Sequence, residues 1–421
     1  MISYRDAIER LLAPLSVLPS ETYALADATG RVLADTVTSP LALPSFDHAA
    51  MDGYALKAGA SSRGGSEHHV HGSQAAGDSG QLAGAGVCEI MTGARLPQGF
   101  DAVVAVERTE ILQTRPDGTP QRIRLLDDIA HGRNVRRMGT DVPRGANVQA
   151  GGATIEPAQI MLLSALGIAR VAVVRRPRVA IICTGKELQT GPPAPLSDGH
   201  IHNSNGPYLT AALKRAGADV VSCETVDDTV HPYLEALQHA VEAGVDLVIS
   251  TGAVSMGRYD FVPAALRHFG AQVLFHKVAM RPGKPLLAAR LHASPLVLAL
   301  PGTPMAVAVG ARFFVAPVLR AMCGQGSEPP LRAVLASAQH PKPGLRHFLR
   351  ATLWLDDRGR LQARAVDQQE PFRIQPFANA DAWIVLDEQG GDCAAGMSVE
   401  VASLELATSL RISAGPPTIN P

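Results

Sequence analysis

Aromatic residues make up only 4% of the 421-residue chain, too few for a surface that stacks nucleic acid bases. Charge of one sign is missing too. Lys and Arg number 38 against 39 Asp and Glu, a net charge of −1, so no electrostatic case exists for nucleic acid or anionic membrane as the main partner. The five cysteines (Cys88, Cys183, Cys223, Cys323, Cys393) are odd in number and far apart, with no C-x-x-C. They read as reduced thiols of a cytosolic protein, not a disulfide framework. No run is expected to reach the ~18 apolar residues of a membrane span. The opening stretch, Met1 to Arg10, reads as an amphipathic helix with acidic residues, not a signal peptide. The expectation is a soluble, cytoplasmic protein.

What is present describes a folded, multidomain chain. Apolar residues are 46% and charged residues 18%, ordinary values for globular domains, and the length implies two to four of them. Residues 2–12 read as a helix, and 25–34 as a short helical or turn element. From 45 to 141 short apolar runs (54–56, 87–91, 102–106, 123–126) alternate with Gly, Pro and Asp turns, the pattern of antiparallel β structure. Within it the Gly-, Ser- and His-rich stretch 61–86 reads as a surface loop. A helix is expected from Pro157 to Leu166, ended by Gly167.

After Pro177 the texture becomes regular. Apolar strands at 179–183, 219–222, 247–249 and 296–300 alternate with helical patterns at 207–215, 232–243, 261–269 and 304–322. Such alternation implies crossovers and a mainly parallel, doubly wound sheet. Pro329-Pro330 marks a linker, and the last ninety residues return to short β runs. The expected organisation is therefore multidomain α/β plus β. It has a small helical/β linker domain (1–44 and 142–176), an inserted β domain (45–141), a doubly wound α/β domain (177–324) and a C-terminal β domain (325–421).

The α/β region is organised around Asp246 to Asp260, where Leu247-Val248-Ile249 empties into Ser250-Thr251-Gly252 before the next helix. A small, hydroxyl- and glycine-rich turn of this kind offers backbone N–H groups to an anion. Comparable turns follow two other strands, at Cys183-Thr184-Gly185 and Leu300-Pro301-Gly302-Thr303. In a doubly wound sheet all three share the carboxyl edge, where ligands bind. Gly252 to Arg258 nearly imitates a phosphate-binding P-loop, but Arg258-Tyr259 stands where that motif needs Lys and a hydroxyl.

Carboxylates accumulate at the same edge: Glu187, Asp227-Asp228 and Asp260. Two or three of their oxygens with a substrate phosphate suit Mg2+; the alternative is that each acid caps a following helix. Opposite them, Lys277, Arg281 and Lys284 fall within eight residues broken by Pro282-Gly283. A pinned loop of cations suits a phosphate or tetrahedral oxyanion, the alternative being a solvated turn. His68, His69 and His71 lack further spaced ligands and read as loop residues instead of a metal site. His200 and His202 read as a turn, with Asn205 as the N-cap of the helix that follows.

Four ordered stretches carry a resemblance: Pro44-Ser-Phe-Asp-His-Ala-Ala-Met-Asp-Gly-Tyr-Ala55, Thr92-Gly-Ala-Arg-Leu-Pro-Gln-Gly-Phe-Asp-Ala-Val-Val104, Ser250-Thr-Gly-Ala-Val-Ser-Met-Gly-Arg-Tyr-Asp260 and Pro282-Gly-Lys-Pro285. Together they resemble the molybdopterin molybdenumtransferase family, which includes the gephyrin E domain, over essentially the whole chain. The resemblance implies an elongated homodimer of four-domain subunits. It also implies Mg2+-dependent insertion of molybdate into adenylylated molybdopterin with release of AMP. Carried over by motif, the catalytic set is Asp52, Thr92, Asp141, Glu187, Asp228 and Asp260, with Glu187, Asp228 and Asp260 as metal ligands. The substrate-binding set is Ser250, Thr251, Gly252, Ser255, Lys277, Arg281, Lys284, Pro301, Gly302 and Arg350. In such a dimer Asp52, Thr92 and Asp141 would face the partner's α/β crevice.

The chain departs from the family pattern at His48-Ala49, at Ala253, at Arg281, at Thr303 and at Gln369-Glu-Pro-Phe-Arg373. Two other functions share the relationship: molybdopterin adenylyltransferase, and a non-enzymatic scaffold. Molybdopterin adenylyltransferase and molybdoenzyme maturation proteins are the partners the resemblance implies.

Overall fold

The computed structural model describes every residue except 61, 80–85, 190–194, 256–259, 292–294, 407–409, 411 and 413–421. Arg258 and Tyr259 therefore lie outside the described residues. The chain folds as two compact units. One comprises Met1–Glu21, Gly30–Ala34 and Ala172–Pro421; the other comprises Thr22–Thr29 and Asp35–Val171.

Helix α1 (Tyr4–Leu12) starts where Ser3 Oγ accepts the Asp6 N–H at 3.0 Å, and it buries Ala7 and Leu11. This is the N-cap chemistry its sequence announces. The second unit then contributes β1 (Gly53–Leu56), β2 (Glu67–Gln74), β3 (Val87–Ile90), β4 (Ala102–Ala105), β5 (Thr109–Thr114) and β6 (Pro120–Leu125), in the sheet order β4-β1-β3-β2-β6-β5. Strand β2 corrects the loop expected across 61–86. Its outward positions carry Glu67, His69, His71 and Ser73, while Val70 and Gln74 are buried. A strand with one apolar residue looks like a loop in sequence, yet β3 and β6 satisfy its backbone on both sides. Helix α2 (Pro157–Ala165) begins with Pro157 after a reciprocal Glu156–Gln159 capping box, and Gly167 leaves it at φ 71°.

In the first unit the alternation is realised as β7 (Arg178–Thr184), α3 (Asn205–Arg215), β8 (Asp219–Val226), α4 (Val230–Glu242), β9 (Leu247–Thr251), α5 (Val262–His268), β10 (Gln272–His276), β11 (Leu287–Arg290), β12 (Leu296–Leu300) and α6 (Pro304–Met322). The sheet order is β8-β7-β9-β12-β11-β10. The first four strands are parallel, and β11 and β10 extend the sheet antiparallel. Sequence reading missed those last two, whose runs are short and interrupted by His and Arg. Alternate residues of the central strands face opposite layers. Ile181, Ile249 and Leu298 meet α3 and α6, and Ile182, Val248 and Val297 meet α4 and α5.

Helix α6 bears on the expectation that no run forms a membrane span. Among the described residues it is long and apolar enough, by length and composition, to cross a membrane, but 83% of its most apolar window is buried inside the protein. It is hydrophobic all round because it is a core helix. A π-helical turn, Ala311–Val315, interrupts it.

The chain ends in β13 (Leu331–Leu335), β14 (Arg346–Leu355), β15 (Leu361–Ala365), β16 (Ala382–Leu386) and β17 (Ser398–Ser403). Their order β14-β15-β13-β17-β16 closes on itself through β14–β16 pairing, giving a five-stranded barrel. A two-residue strand from the α/β region, Met280–Arg281, pairs in parallel with Arg346 and His347 of β14.

Candidate functional site: an oxyanion cavity at the carboxyl edge

The parallel register aligns the three small-residue turns. Cys183 lies opposite Thr251, and Thr251 opposite Leu300, so Thr184-Gly185, Gly252 and Pro301-Gly302 emerge at one end of the sheet. The turns then interlock. The Gly252 N–H donates to the Leu300 carbonyl at 3.0 Å, and the Thr184 hydroxyl donates to the Thr251 carbonyl at 3.2 Å. Gly252 sits at φ 96°, and a Cβ there would lie 2.5 Å from Thr184 Oγ1. Only glycine fits that position.

A cavity of about 470 Å³ opens over this edge, lined by Ser255, Asp260, Arg281, Lys284, Pro301 and Gly302 together with Leu345 and Pro371. Six of the residues singled out in the sequence thus meet around one space. The loop 277–284 turns back on itself where the Val278 N–H donates to the Lys284 carbonyl at 3.0 Å. Arg281 and Lys284 are both exposed. Two cations and one carboxylate, with small-residue turns for a floor, make a site that favours an anion.

Other expected residues lie elsewhere. Ser250 and Thr251 are buried, at 0% and 1% exposure, and the Tyr233 hydroxyl reaches Ser250 Oγ at 3.3 Å. They shape the floor from below. Lys277 does not line the cavity; its backbone N–H donates to Leu286 and its carbonyl accepts from Ile2.

The three acids expected to hold a metal do not gather. Asp260 lines the cavity, whereas Glu187 and Asp228 belong to the first turn. There, a Cβ on Gly185 would stand 2.7 Å from Glu187 Oε1, and the Lys186 N–H donates to Asp228 Oδ2 at 3.4 Å. Among the described residues no group of three or more His, Cys, Asp or Glu is arranged to hold a metal. The reason lies in the sheet order: β9 is separated from β8 by β7, so acids after β8 and β9 end at different places on the edge. Helix capping does not explain Asp228 either, because α4 has Thr229 at its N-cap position.

Arg350 is a correction of role. It is 1% exposed, and its guanidinium is consumed by its own domain. It donates to the carbonyls of Arg373 (2.7 Å), Gln368 (2.7 Å) and Glu370 (3.4 Å), and its Nε donates to Gln369 Oε1 at 3.3 Å. Gln369 in turn donates to the Arg350 and Val366 carbonyls. Arg350 therefore braces the 368–373 loop, whose Pro371 lines the cavity and accepts the Met305 N–H at 3.0 Å.

Asn205 also differs from expectation. It is the first residue of α3, not its cap, and its amide donates to the Gly302 carbonyl at 2.8 Å. It fixes the Pro301-Gly302 turn from outside. The His-Asn-Ser-Asn run was the available signal for it, whereas nothing local to Pro371 or Leu345 marks them as cavity residues.

In the second unit, Asp52 and Thr92 meet although forty residues separate them. The Thr92 N–H and hydroxyl both donate to Asp52 Oδ1 at 2.7 Å, and these bonds hold the exposed carboxyl below its ordinary range. Asp141 is exposed, with its backbone N–H donated to the Leu43 carbonyl at 3.0 Å.

Three family models match the chain in succession: "MoeA N-terminal region (domain I and II)" over residues 2–167, "Probable molybdopterin binding domain" over 180–321 and "MoeA C-terminal region (domain IV)" over 332–404. A molybdopterin molybdenumtransferase of Synechococcus elongatus is 36% identical over 96% of this chain and 100% of its own length. One from Bacillus subtilis is 32% identical, covering 91% of this chain and 89% of the relative. The crystal structure of a molybdopterin biosynthesis moeA protein from Pyrococcus horikoshii OT3 superposes with a TM-score of 0.80 at 25% identity, covering 95% of this chain and 99% of that one. The chain belongs to the molybdopterin molybdenumtransferase family.

Proposed function

We infer that this protein is a molybdenum transferase of molybdenum cofactor biosynthesis, taking molybdate into molybdopterin. The observation that carries the reading is the cavity that faces Arg281 and Lys284 across the Gly302 turn, with Asp260 at its side. A tetrahedral dianion is matched by a planar guanidinium and a compact ammonium presented on a proline-pinned loop.

In the finer reading the pterin arrives adenylylated and its phosphoanhydride bond breaks with release of AMP. Charge accumulates on the departing phosphate oxygens as that bond lengthens, and Arg281 and Lys284 are positioned to meet it. Mg2+ takes few protein ligands and keeps water and phosphate oxygens. A lone cavity carboxylate fits that habit, so Asp260 would hold the ion, which when bound neutralises phosphate charge. Asp52, Thr92 and Asp141 would complete the site from the second subunit of a cytoplasmic homodimer. The doubly hydrogen-bonded, ionised Asp52 carboxylate supports that role. Molybdopterin adenylyltransferase would supply the substrate and molybdoenzyme maturation proteins would receive the product.

The test is AMP release from adenylylated molybdopterin with magnesium and molybdate, in the absence of ATP. Asp260→Asn is expected to keep fold and assembly and to lose AMP release. Unchanged turnover in that variant removes Asp260 from the reaction. Consumption of magnesium-ATP by the wild type would indicate the adenylyltransferase instead, and partner capture without AMP release would indicate a scaffold.

A further inference from the structure

Two of the five cysteines meet at a place the proposed reaction does not use. Cys183 is the penultimate residue of β7 and Cys223 lies within β8. These strands pair in parallel, with Ile181 opposite Cys223 and Cys183 opposite Thr225. Residues two apart along a strand share a face, so both thiols emerge on the face that α3 covers. Gly206, in the first turn of α3, leaves the space between them open. A Cβ built there would stand 3.0 Å from Cys223 Sγ and 3.3 Å from Cys183 Sγ. The two sulfurs therefore converge on one missing methyl group.

Their surroundings differ in a useful way. Cys183 is buried and Cys223 is exposed. The Cys223 thiol holds Cys183 below the usual thiol range; burial opposes this, and hydrogen bonds from Asn203 and Thr251 assist it. Cys223 is pushed the other way, first by its bond to Cys183 and then by burial. Cys183 is thus the thiolate-like member of the pair and Cys223 the thiol, and thiolate character is what makes a cysteine reactive.

We propose that Cys183 and Cys223 form a paired-thiol oxidation site that takes a hydroperoxide and becomes an intramolecular disulfide. The Cys183 thiolate attacks the peroxide oxygen, the O–O bond breaks, and the hydroxide that leaves takes a solvent proton, giving water and a sulfenic acid. The Cys223 thiol then attacks that sulfur, forming the S–S bond, and its proton leaves with the expelled hydroxide as water. Two thiols lose two electrons and one peroxide becomes two waters. Paired parallel strands lie ~4.8 Å apart, and a disulfide spans Cα separations of ~4.4–6.8 Å. The two-residue offset adds ~6.6 Å along the strands and puts the two Cα atoms beyond that span, so closing the bond requires β8, the edge strand of its sheet, to shift along β7.

The test uses the full chain, reduced and then freed of reductant. It is exposed to a small molar excess of hydrogen peroxide, alkylated in denaturant, and read by thiol count and peptide mass spectrometry. Two of the five thiols are expected to disappear, one linked peptide pair to join Cys183 to Cys223, and both thiols to return on adding a dithiol reductant. Cys223→Ser, a change on an exposed strand position, is expected to form no disulfide. An unchanged thiol count in the wild type, a linkage through Cys88, Cys323 or Cys393, or the same two-thiol loss in Cys223→Ser would overturn the proposal.

Discussion

One oxygen of Asp52 takes two hydrogen bonds from a single residue, the backbone N–H and the hydroxyl of Thr92, each at 2.7 Å. Both bonds favour the ionised carboxylate. Thr92→Val keeps the first and deletes the second, so the Asp52 pKa is expected to rise toward its ordinary value. A carboxyl-carbon NMR titration of the two proteins reads the shift directly. An unchanged midpoint would mean that the hydroxyl does not act on the carboxylate in solution.

Gly252→Ala places a Cβ 2.5 Å from Thr184 Oγ1 and 2.6 Å from the Thr184 carbonyl, at a φ of 96°. Backbone strain of this kind costs ~1–3 kcal/mol, and the contact with main chain adds to it. Denaturant unfolding should show a lowered midpoint with an unchanged slope. Because Gly252 packs against Gly302, which lines the cavity, molybdate binding should weaken in the fraction that stays folded.

Arg350→Ala removes the donors for three loop carbonyls and one side-chain amide. Hydrogen bonds to a charged group are worth ~1.5–3 kcal/mol each, so a loss of several degrees in Tm is expected. Arg350→Lys should recover little, since an ammonium cannot span carbonyls that a planar fork reaches together. Full recovery by lysine would show that charge alone, and not the fork, holds the 368–373 loop.

His347 is 6% exposed, its Nε2 lying 3.2 Å from the Lys342 carbonyl. Burial lowers its pKa, the Lys342 bond opposes this, and the Arg281 charge lowers it further. Its folded pKa therefore lies below the unfolded value of ~6.5. The unfolded chain takes up the proton first, so this group's contribution is present above pH ~6.5 and is lost as pH falls toward the folded pKa. Unfolding free energies measured at several pH values from 7.5 downward should fall less steeply in His347→Gln than in the wild type. Parallel profiles would remove His347 as a source of the pH dependence.

The sequence was most informative where one physical demand shaped each residue. Strands β7, β9 and β12 are buried on both faces and read as continuous apolar runs, and their shared edge followed from the alternation with helices. The turns at Gly185, Gly252 and Gly302 were legible because close backbone approach demands small residues. Strand β2 was hidden because pairing, not side-chain burial, makes it a strand. Arg350 was misassigned because a lone arginine looks the same whether it faces a ligand or three carbonyls. The separation of Glu187 and Asp228 from Asp260 depends on strand order, which no local spacing records.

The pairing of Met280–Arg281 with Arg346 and His347 makes the cavity's affinity a property of two domains at once. Its floor moves with the parallel sheet, whereas its cations ride on a strip stitched to the barrel. A substitution deep in the barrel, touching no ligand, would then loosen the grip on an oxyanion by sliding that strip, much as a jaw slackens when its mounting shifts.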